Sequence, residues 1–207
     1  SLNLVFDNFS TQNILNGKSW SPLPSGDGQR LSLSASSNGA YYQNYNISFT
    51  EPWLGGKKPN ALTVSFYKSV SSNGQTGENR EAIEILGLTL GIGKRLKNPD
   101  DYFTIYNGIN FQQYKLINSQ SFFSFKNGFS NNVNYNIRLG RNSVDQLIFP
   151  RRGSNFSLGL KITPPYSMFD GVDDYSTISD QEKYKYIEYY KWKYKSSWYS
   201  AFTDKLV

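Results

Sequence analysis

Two alternating runs and the turn between them decide the fold: "NISFTEPWLGGKKPNALTVSFYKS", Asn46–Ser69. In each run, polar and apolar residues alternate with a period of two, which is the periodicity of a β-strand with two different faces. The connection carries Trp53 and Leu54 beside two glycines and two lysines. A soluble hairpin would usually bury such a tryptophan, so the turn raises the question of which surroundings suit it.

The same alternation recurs along the whole chain. Val133, Tyr135, Ile137 and Leu139, for example, alternate with Asn134, Asn136, Arg138 and Gly140. Connections are rich in Gly, Asn, Ser and Pro, as tight turns require, and no stretch shows a helical stripe. We therefore predict an all-β antiparallel chain. The predicted strands are 2–8, 29–38, 41–50, 60–69, 81–93, 101–115, 129–142, 154–164 and 183–199, and Leu206 and Val207 could begin another.

Three of these strands are long, and the fifth has an ambiguous phase. Strands 81–93, 101–115 and 183–199 exceed the five or six residues that are common in globular sheets. About 9 to 11 tilted residues cross a bilayer, and these runs supply them. In the fifth strand, Ile83 and Ile85 point one way whereas Leu86, Leu88 and Leu90 point the other. Long strands with one polar and one apolar face predict a transmembrane β-barrel with a polar interior.

The composition favours a scaffold over an active site. Cysteine and histidine are absent, which excludes disulfides, thiolate metal sites and the commonest general base. The net charge of +6 fits a nucleic-acid partner, an anionic membrane surface, a basic lumen or simply a solvated basic surface. No run approaches the roughly 18 apolar residues of a membrane-spanning helix. The N-terminal residues do not resemble a signal peptide, so we expect a mature chain or a piece of a longer one.

Three motifs suggest a binding or catalytic site, but none has the residue spacing that its site would require. "GLTLGIGKR", Gly87–Arg95, lacks the first glycine and the Ser/Thr of a phosphate-binding loop. "DGVDDYSTISDQE", Asp170–Glu182, lacks calcium-loop spacing and is interpreted as a solvated loop. Asp100 and Asp101 are adjacent on a strand and point to opposite faces, so they cannot flank one glycosidic bond. We predict no catalytic residue, cofactor or metal.

In the run "KYKYIEYYKWKYK", Lys183–Lys195, the lysines fall at odd positions and most aromatic residues fall at even positions. On a β-strand, odd and even positions point to opposite faces, so the charges and the rings would be separated. Binders of single-stranded nucleic acid need both on the face that meets the ligand, so strict separation argues against a nucleic-acid partner. It predicts water on one side and lipid on the other. Glu188 is the exception on the aromatic side, and we expect it near an interface or paired. The predicted lumenal basic wall consists of Lys185, Lys191, Lys193 and Lys195, and the predicted lipid-facing rings are Tyr184, Tyr186, Tyr190, Trp192 and Tyr194.

Two turns resemble those of the BamA-like barrel superfamily of outer-membrane assembly factors. "SFTEPWLGGKKP" is similar to a hairpin of that family in which a strand ends in a Pro-aromatic pair before a Gly-containing turn. "VDQLIFPRRGSNFSLGLKITPP", Val144–Pro165, resembles the family's Phe-Pro-x-x-Gly turn, and "DNFS", Asp7–Ser10, resembles a strand end. The residues that carry the two turn motifs are Glu51, Pro52, Trp53, Gly55 and Gly56 in the first and Phe149, Pro150 and Gly153 in the second.

The resemblance implies part of a single barrel domain over residues 1–207. It implies about nine or ten strands of a barrel of about sixteen, with the POTRA domains, the seam strands and the plug loop outside this chain. The connections at 8–28, 51–59, 94–100 and 142–153 would be periplasmic, and those at 37–40, 70–80, 115–128 and 165–182 would face outside. Trp53 and Leu54 would then sit at the periplasmic lipid interface, with Lys57 and Lys58 reaching toward headgroups.

The function that the resemblance implies is folding and insertion of client β-barrel proteins into the outer membrane of Gram-negative cells, without enzymatic chemistry or a cofactor. Its implied partners are outer-membrane lipids and lipopolysaccharide, client barrels, and the accessory assembly lipoproteins of a Bam complex. A translocation or two-partner secretion pore of the same superfamily is the first alternative. The second is a secreted β-sandwich that binds glycans through exposed Tyr and Trp.

Overall fold

The computed structural model describes residues 1–56, 58–119, 124–172 and 174–201. Its strands form one antiparallel sheet in which every strand pairs with its neighbours in sequence. In the described parts of the connections lie one short helix, α1 (Asp180–Lys183), and four 3-10 turns. The strands are β1 (Leu2–Phe9), β2 (Gln29–Asn38), β3 (Tyr42–Glu51), β4 (Asn60–Ser72), β5 (Ala82–Arg95), β6 (Phe103–Ile117), β7 (Gly128–Asn142), β8 (Arg152–Ile162) and β9 (Tyr190–Ser200).

The all-β antiparallel prediction is confirmed, and eight strands begin within two residues of their predicted starts. The predicted start of the ninth strand is wrong, because β9 begins at Tyr190 and not at position 183. Upstream, the side chain of Ser179 accepts a hydrogen bond from the main-chain N–H of Glu182 and caps α1. Leu206 and Val207 lie outside the described residues.

The pairing register gives the sheet two chemically distinct faces. Residues directly opposite each other in an antiparallel pair share a face. Asn134 lies opposite Asn110, which lies opposite Thr89 on the next strand. This side, the polar face, continues through Ser65, Ser48 and Ser32.

The opposite side, the apolar face, is equally continuous. Tyr194 lies opposite Leu158, which lies opposite Leu139, which lies opposite Ile105. The register also resolves the phase of β5. Leu86, Leu88 and Leu90 share the face of Phe66, whereas Ile85 lies opposite Tyr114 on the polar face.

Burial is inverted relative to a soluble domain. On the polar face, Ser130 is fully buried and Asn134 is 2% exposed. On the apolar face, Leu90 is 49% and Ile109 54% exposed. The polar side chains satisfy one another, since Asn110 Nδ2 donates to Asn134 Oδ1 at 2.9 Å and Thr89 Oγ1 donates to Asn110 Oδ1 at 2.9 Å.

The sandwich alternative is wrong. All nine described strands belong to one sheet, with no second sheet in the described part of the chain to cover its apolar side. A sandwich would bury Leu90 and its neighbours between two sheets.

The glycines of the Gly87–Arg95 run accommodate tyrosine rings on the polar face. The ring of Tyr67 lies where a side chain at Gly87 would be, and Gln112 donates a hydrogen bond to its hydroxyl. The ring of Tyr106 covers Gly91 in the same way. These glycines therefore serve packing across β4, β5 and β6.

The eight connections fall alternately at the two ends of the sheet, as the sequential order requires. The turn end holds the two family-like turns together with the β1–β2 and β5–β6 connections, and the loop end holds the remaining four. This grouping matches the predicted division into two sets. Among the described residues, no helix is long and apolar enough to cross a membrane.

Candidate functional site: a two-faced sheet with a basic groove

The polar face ends in a cationic region on β7, β8 and β9. Lys191 lies opposite Lys161, and Lys193 lies opposite Gly159. Gly159 in turn lies opposite Arg138 on β7. The small residues of β8 form the floor of a groove with a volume of about 710 Å³, and cations stand on both sides. We name as the basic groove the cations Arg138, Lys161, Lys191, Lys193 and Lys195 with the floor residues Ser157 and Gly159.

Lys185, which we predicted in the basic wall, does not belong to this groove. It precedes β9, and its main-chain carbonyl accepts a hydrogen bond from the N–H of Asn131 at 2.8 Å. Its Nζ lies 5.9 Å from the ring centroid of Tyr186. The Lys-Tyr alternation continues upstream of the strand, but the strand geometry that would separate the two residue types does not.

The opposite face of β9 is aromatic and uncovered. Tyr190, Trp192 and Tyr194 lie opposite Ile162, Leu160 and Leu158. Trp192 is 60% exposed. Tyr184 and Tyr186, which we predicted on this face, lie before β9 in the connection at the loop end.

The connection between β8 and β9 returns over the edge of β7. Ser130 Oγ donates to the carbonyl of Tyr184 at 2.6 Å, and the N–H of Ile187 donates to the carbonyl of Asn131 at 2.9 Å. On β7, strand β8 pairs only with Tyr135–Asn142, so the bond to the carbonyl of Asn131 satisfies a main-chain group of β7 beyond the end of β8. The bond from Ser130 adds a side-chain contact at the same place.

Two side-chain contacts organise the same connection. The rings of Tyr166 and Tyr186 stack with centroids 4.5 Å apart. Glu188 accepts hydrogen bonds from the main-chain N–H and the hydroxyl of Ser167. Glu188 is therefore paired, which is one of the two outcomes expected for it.

The acidic run Asp170–Glu182 makes local hydrogen bonds. Tyr175 Oη donates to Asp170, which holds the pKa of that carboxyl below its usual value, and the N–H of Val172 adds to the effect. The same bond raises the pKa of Tyr175 to about 12. Within the described residues, no group of three or more acidic side chains could hold a metal ion.

The first family-like turn is oriented by Glu51. Its Oε1 accepts from the N–H of Trp53 at 3.0 Å, and its Oε2 accepts from Gln29 Nε2 at 2.7 Å. Pro52 follows Glu51, and Gly55 and Gly56 adopt φ values of 81° and 71°, which favour glycine. The indole of Trp53 is 54% exposed at the turn end. Lys57 lies outside the described residues.

The second family-like turn is stabilised by hydrogen bonds to Asp145. Its Oδ1 accepts from the N–H groups of Arg152 at 3.1 Å and Arg151 at 3.0 Å, and these bonds lower the pKa of the carboxyl. Gly153 has φ 107°, and any side chain there would overlap the carbonyl of Ser143.

This turn projects an apolar tip. Phe149, with φ 54°, stands before Pro150. Leu147, Ile148 and Phe149 are all exposed. Both family-like turns therefore place exposed large apolar side chains at the turn end of the sheet.

Sequence reasoning missed a polar cluster around Arg141 at the turn end. Arg141 binds Asp100 through Nε and Nη2, while its Nη1 donates to the hydroxyls of Ser143 and Ser154 at 2.8 Å. The sequence feature that could have indicated this cluster is an arginine on the apolar side of β7, one residue from the end of the strand. Its partner comes from a different connection, 41 residues earlier.

Comparison with known proteins agrees with this architecture. The family model of the Omp85 superfamily domain matches residues 25–207. No curated protein matches the chain. A solved structure, "The crystal structure of BamA from Haemophilus ducreyi lacking POTRA domains 1-3", is similar with a TM-score of 0.51 and 19% identity. The match covers 68% of this chain and 29% of that one, so the similarity extends over less than a third of that BamA structure. The chain belongs to the Omp85 superfamily.

Proposed function

We propose that this chain is part of an outer-membrane barrel that folds and inserts client β-barrel proteins. The observation that carries the proposal is the inverted burial of a continuous sheet. Asn134 is buried on one face while Leu90 and Ile109 are exposed on the other. Only surroundings that supply lipid to the apolar face and water to the polar face make both faces favourable. Membership of the Omp85 superfamily supports the same location.

In this proposal the polar face lines the barrel lumen and the apolar face meets outer-membrane lipid and lipopolysaccharide. The charges of the apolar face support it, because most stand within two residues of a strand end: Glu84, Lys94, Lys115, Arg141 and Arg152. A charge on the lipid face costs least near the interfaces. Lys68, nearer the middle of β4, is the exception.

The turn end is the periplasmic end in this proposal. An exposed indole is favoured at a membrane interface, where its ring meets lipid and its N–H meets water. Trp53 in the first family-like turn has that exposure, and Lys58 lies nearby to reach headgroups. The apolar tip at Leu147, Ile148 and Phe149 would dip into the same interface.

The activity requires no catalytic residue and no cofactor. It consists of positioning client strands and perturbing the local membrane, with accessory assembly lipoproteins as partners and no role for nucleic acid. In this proposal, the seam strands that would receive a client are not among β1 to β9. The contribution of the chain is then a wall that holds the lumen open to water and anchors both ends of the barrel at the interfaces.

The test is depletion of the whole protein in its native cells. We expect other outer-membrane barrels to lose their folded, heat-modifiable forms on gels within a few generations. The related translocation or two-partner secretion pore predicts a different result, in which a secreted or surface-exposed substrate disappears while the folded barrels persist. That second result would overturn the assembly function and leave the superfamily assignment unchanged.

A further inference from the structure

We propose that the basic groove binds an extended acidic polypeptide segment along the lumenal side of β8. The inference needs the polar face to meet water, but it does not need the protein to assemble other barrels. Within the described residues, no ion pair compensates the charge of the groove.

The cations of the groove are unmatched. The ion pairs of the described residues join Arg30 to Asp7, Arg80 and Lys115 to Glu84, and Arg141 to Asp100, so none involves the groove. On β2 to β9, the polar face carries no aspartate or glutamate. These strands therefore offer the groove no acidic side chain on its own face of the sheet.

The register places like charges directly against each other. Lys161 lies opposite Lys191, and like charges in that position destabilise a pair of strands. Lys191, Lys193 and Lys195 follow one another on the same face of β9. A strand that kept this arrangement only for solvation would gain by replacing any one of them. Binding of an anionic ligand would relieve the repulsion at all of them together.

The shape of the groove selects an extended ligand. Its floor is low because β8 contributes Gly159 and Ser157 between Arg138 on one side and the lysines of β9 on the other. The trough therefore runs along the strand direction. Residues two apart in a strand repeat about every 6.6 Å, which is also the repeat of alternate side chains in an extended peptide. A peptide with carboxylates at every second position would present one to each lysine.

The experiment measures binding of fluorescein-labelled peptides to the detergent-solubilised protein by fluorescence anisotropy, at about 0.15 M salt so that distant charges are screened. The probe is a short peptide of alternating Asp and Ser. A second peptide has the same composition with all Asp in one block, and a third alternates Lys and Ser. We expect the alternating acidic peptide to bind at least several-fold more tightly than the block peptide, and the basic peptide not to bind.

Two kinds of variant separate the charge of the groove from its shape. The triple variant Lys191→Gln, Lys193→Gln and Lys195→Gln should weaken binding about tenfold, because three partly screened pairs are lost. Its matched control, Lys18→Gln, Lys97→Gln and Lys126→Gln, removes the same charge from exposed connections and should leave binding unchanged. Gly159→Thr keeps every charge and fills the floor, where an added Cβ has ordinary contacts at 3.9 Å or more. It should weaken the alternating peptide several-fold.

Three outcomes would overturn the proposal. One is equal affinity for the alternating and block peptides, which would indicate a non-specific polyanion surface. Another is equal loss in the two triple variants, which would indicate bulk charge. The third is binding of tripolyphosphate with no binding of either acidic peptide, which would indicate a small-anion site. Heat-modifiable mobility on gels checks that each variant is folded, and client-barrel assembly in cells is scored separately from peptide binding.

Discussion

The guanidinium of Arg141 donates two hydrogen bonds to one carboxylate oxygen of Asp100, from Nε at 2.9 Å and from Nη2 at 2.8 Å. The pair joins β7 to the β5–β6 connection at the turn end. Its side chains are 23% and 33% exposed, so it is more protected from water than the pair of Arg30 and Asp7, at 59% and 77%.

The first prediction compares these two arginines. Arg141→Lys keeps the charge but loses the planar fork and its hydrogen bonds to two serines, so we expect a loss of about 1 to 3 kcal/mol in the free energy of unfolding. Arg30→Lys is the control and should cost under about 0.5 kcal/mol. Denaturant unfolding of the folded protein in detergent provides the measurement. Equal losses would show that the Arg141 cluster does not stabilise the turn end.

The second prediction concerns two glycines on the same face of β5. Gly87→Ala places a methyl group against the ring of Tyr67, which cannot swing away without breaking its bond to Gln112. We expect a loss of about 1 to 3 kcal/mol. Gly93→Ala meets nothing closer than 4.0 Å and should be close to neutral.

The control for this mechanism is the double variant. In the Tyr67→Ala background, Gly87→Ala should cost little further stability, because the ring that it displaces is gone. Thermal unfolding of the four proteins in detergent completes the cycle. An unchanged cost in that background would show that the ring is not the cause.

Strand alternation made most of the sheet predictable, because every second residue of a two-faced strand lies in the same environment and has the matching polarity. β9 was the exception, since Lys and Tyr already alternate at Lys183–Tyr186, between the end of α1 and the start of the strand. That alternation does not specify which residue of another strand a given side chain contacts. Tyr67 over Gly87 and Arg141 beside Asp100 depend on register and turn geometry across strands, which a single strand does not specify.

The third prediction is a pH dependence in the loop-end connection. Tyr175 donates to Asp170, which lowers the pKa of Asp170 and raises that of Tyr175 to about 12. The lowered pKa means that the contact stabilises the fold above the ordinary Asp pKa and is lost as pH falls through the folded value. The raised pKa means that the contact is fully present below pH 10 and is lost as pH rises through about 12.

Carbon-13 NMR of tyrosine labelled at Cζ measures this directly. The resonance that disappears in Tyr175→Phe should titrate near pH 12 in the wild type and near about 10 in Asp170→Asn. A resonance that titrates near 10 in both proteins would mean that the bond does not form in solution.

The fourth prediction concerns orientation. The chain contains no cysteine, so a single cysteine introduced into it is the one thiol of this sequence, and the unsubstituted protein serves as the labelling control. Thr177→Cys lies at the loop end and Arg151→Cys at the turn end, and both positions are exposed. We expect a membrane-impermeant maleimide to label intact cells at Thr177→Cys alone, and both variants after permeabilisation. Labelling of Arg151→Cys alone in intact cells would reverse the proposed orientation.

The last prediction tests which face of β9 meets lipid. Trp192 lies opposite Leu160 on the apolar face, and its neighbour Lys193 lies opposite Gly159 on the polar face. Trp192→Lys would place a cation in lipid at a cost of about 2 to 4 kcal/mol near the midplane, falling toward 0 to 1 near an interface. Lys193→Gln removes a cation from water and should cost little.

The measurement for these two variants is the yield of folded, heat-modifiable protein in outer membranes. We expect Trp192→Lys to reduce it several-fold and Lys193→Gln to leave it nearly unchanged. Trp192→Phe serves as the control for lost ring area, since it keeps an apolar side chain in the same place and should fold. Equal yields for Trp192→Lys and Lys193→Gln would sink the assignment, because a strand with water on both faces would tolerate a lysine on either. A lower yield for Lys193→Gln than for Trp192→Lys would place lipid on the polar face instead.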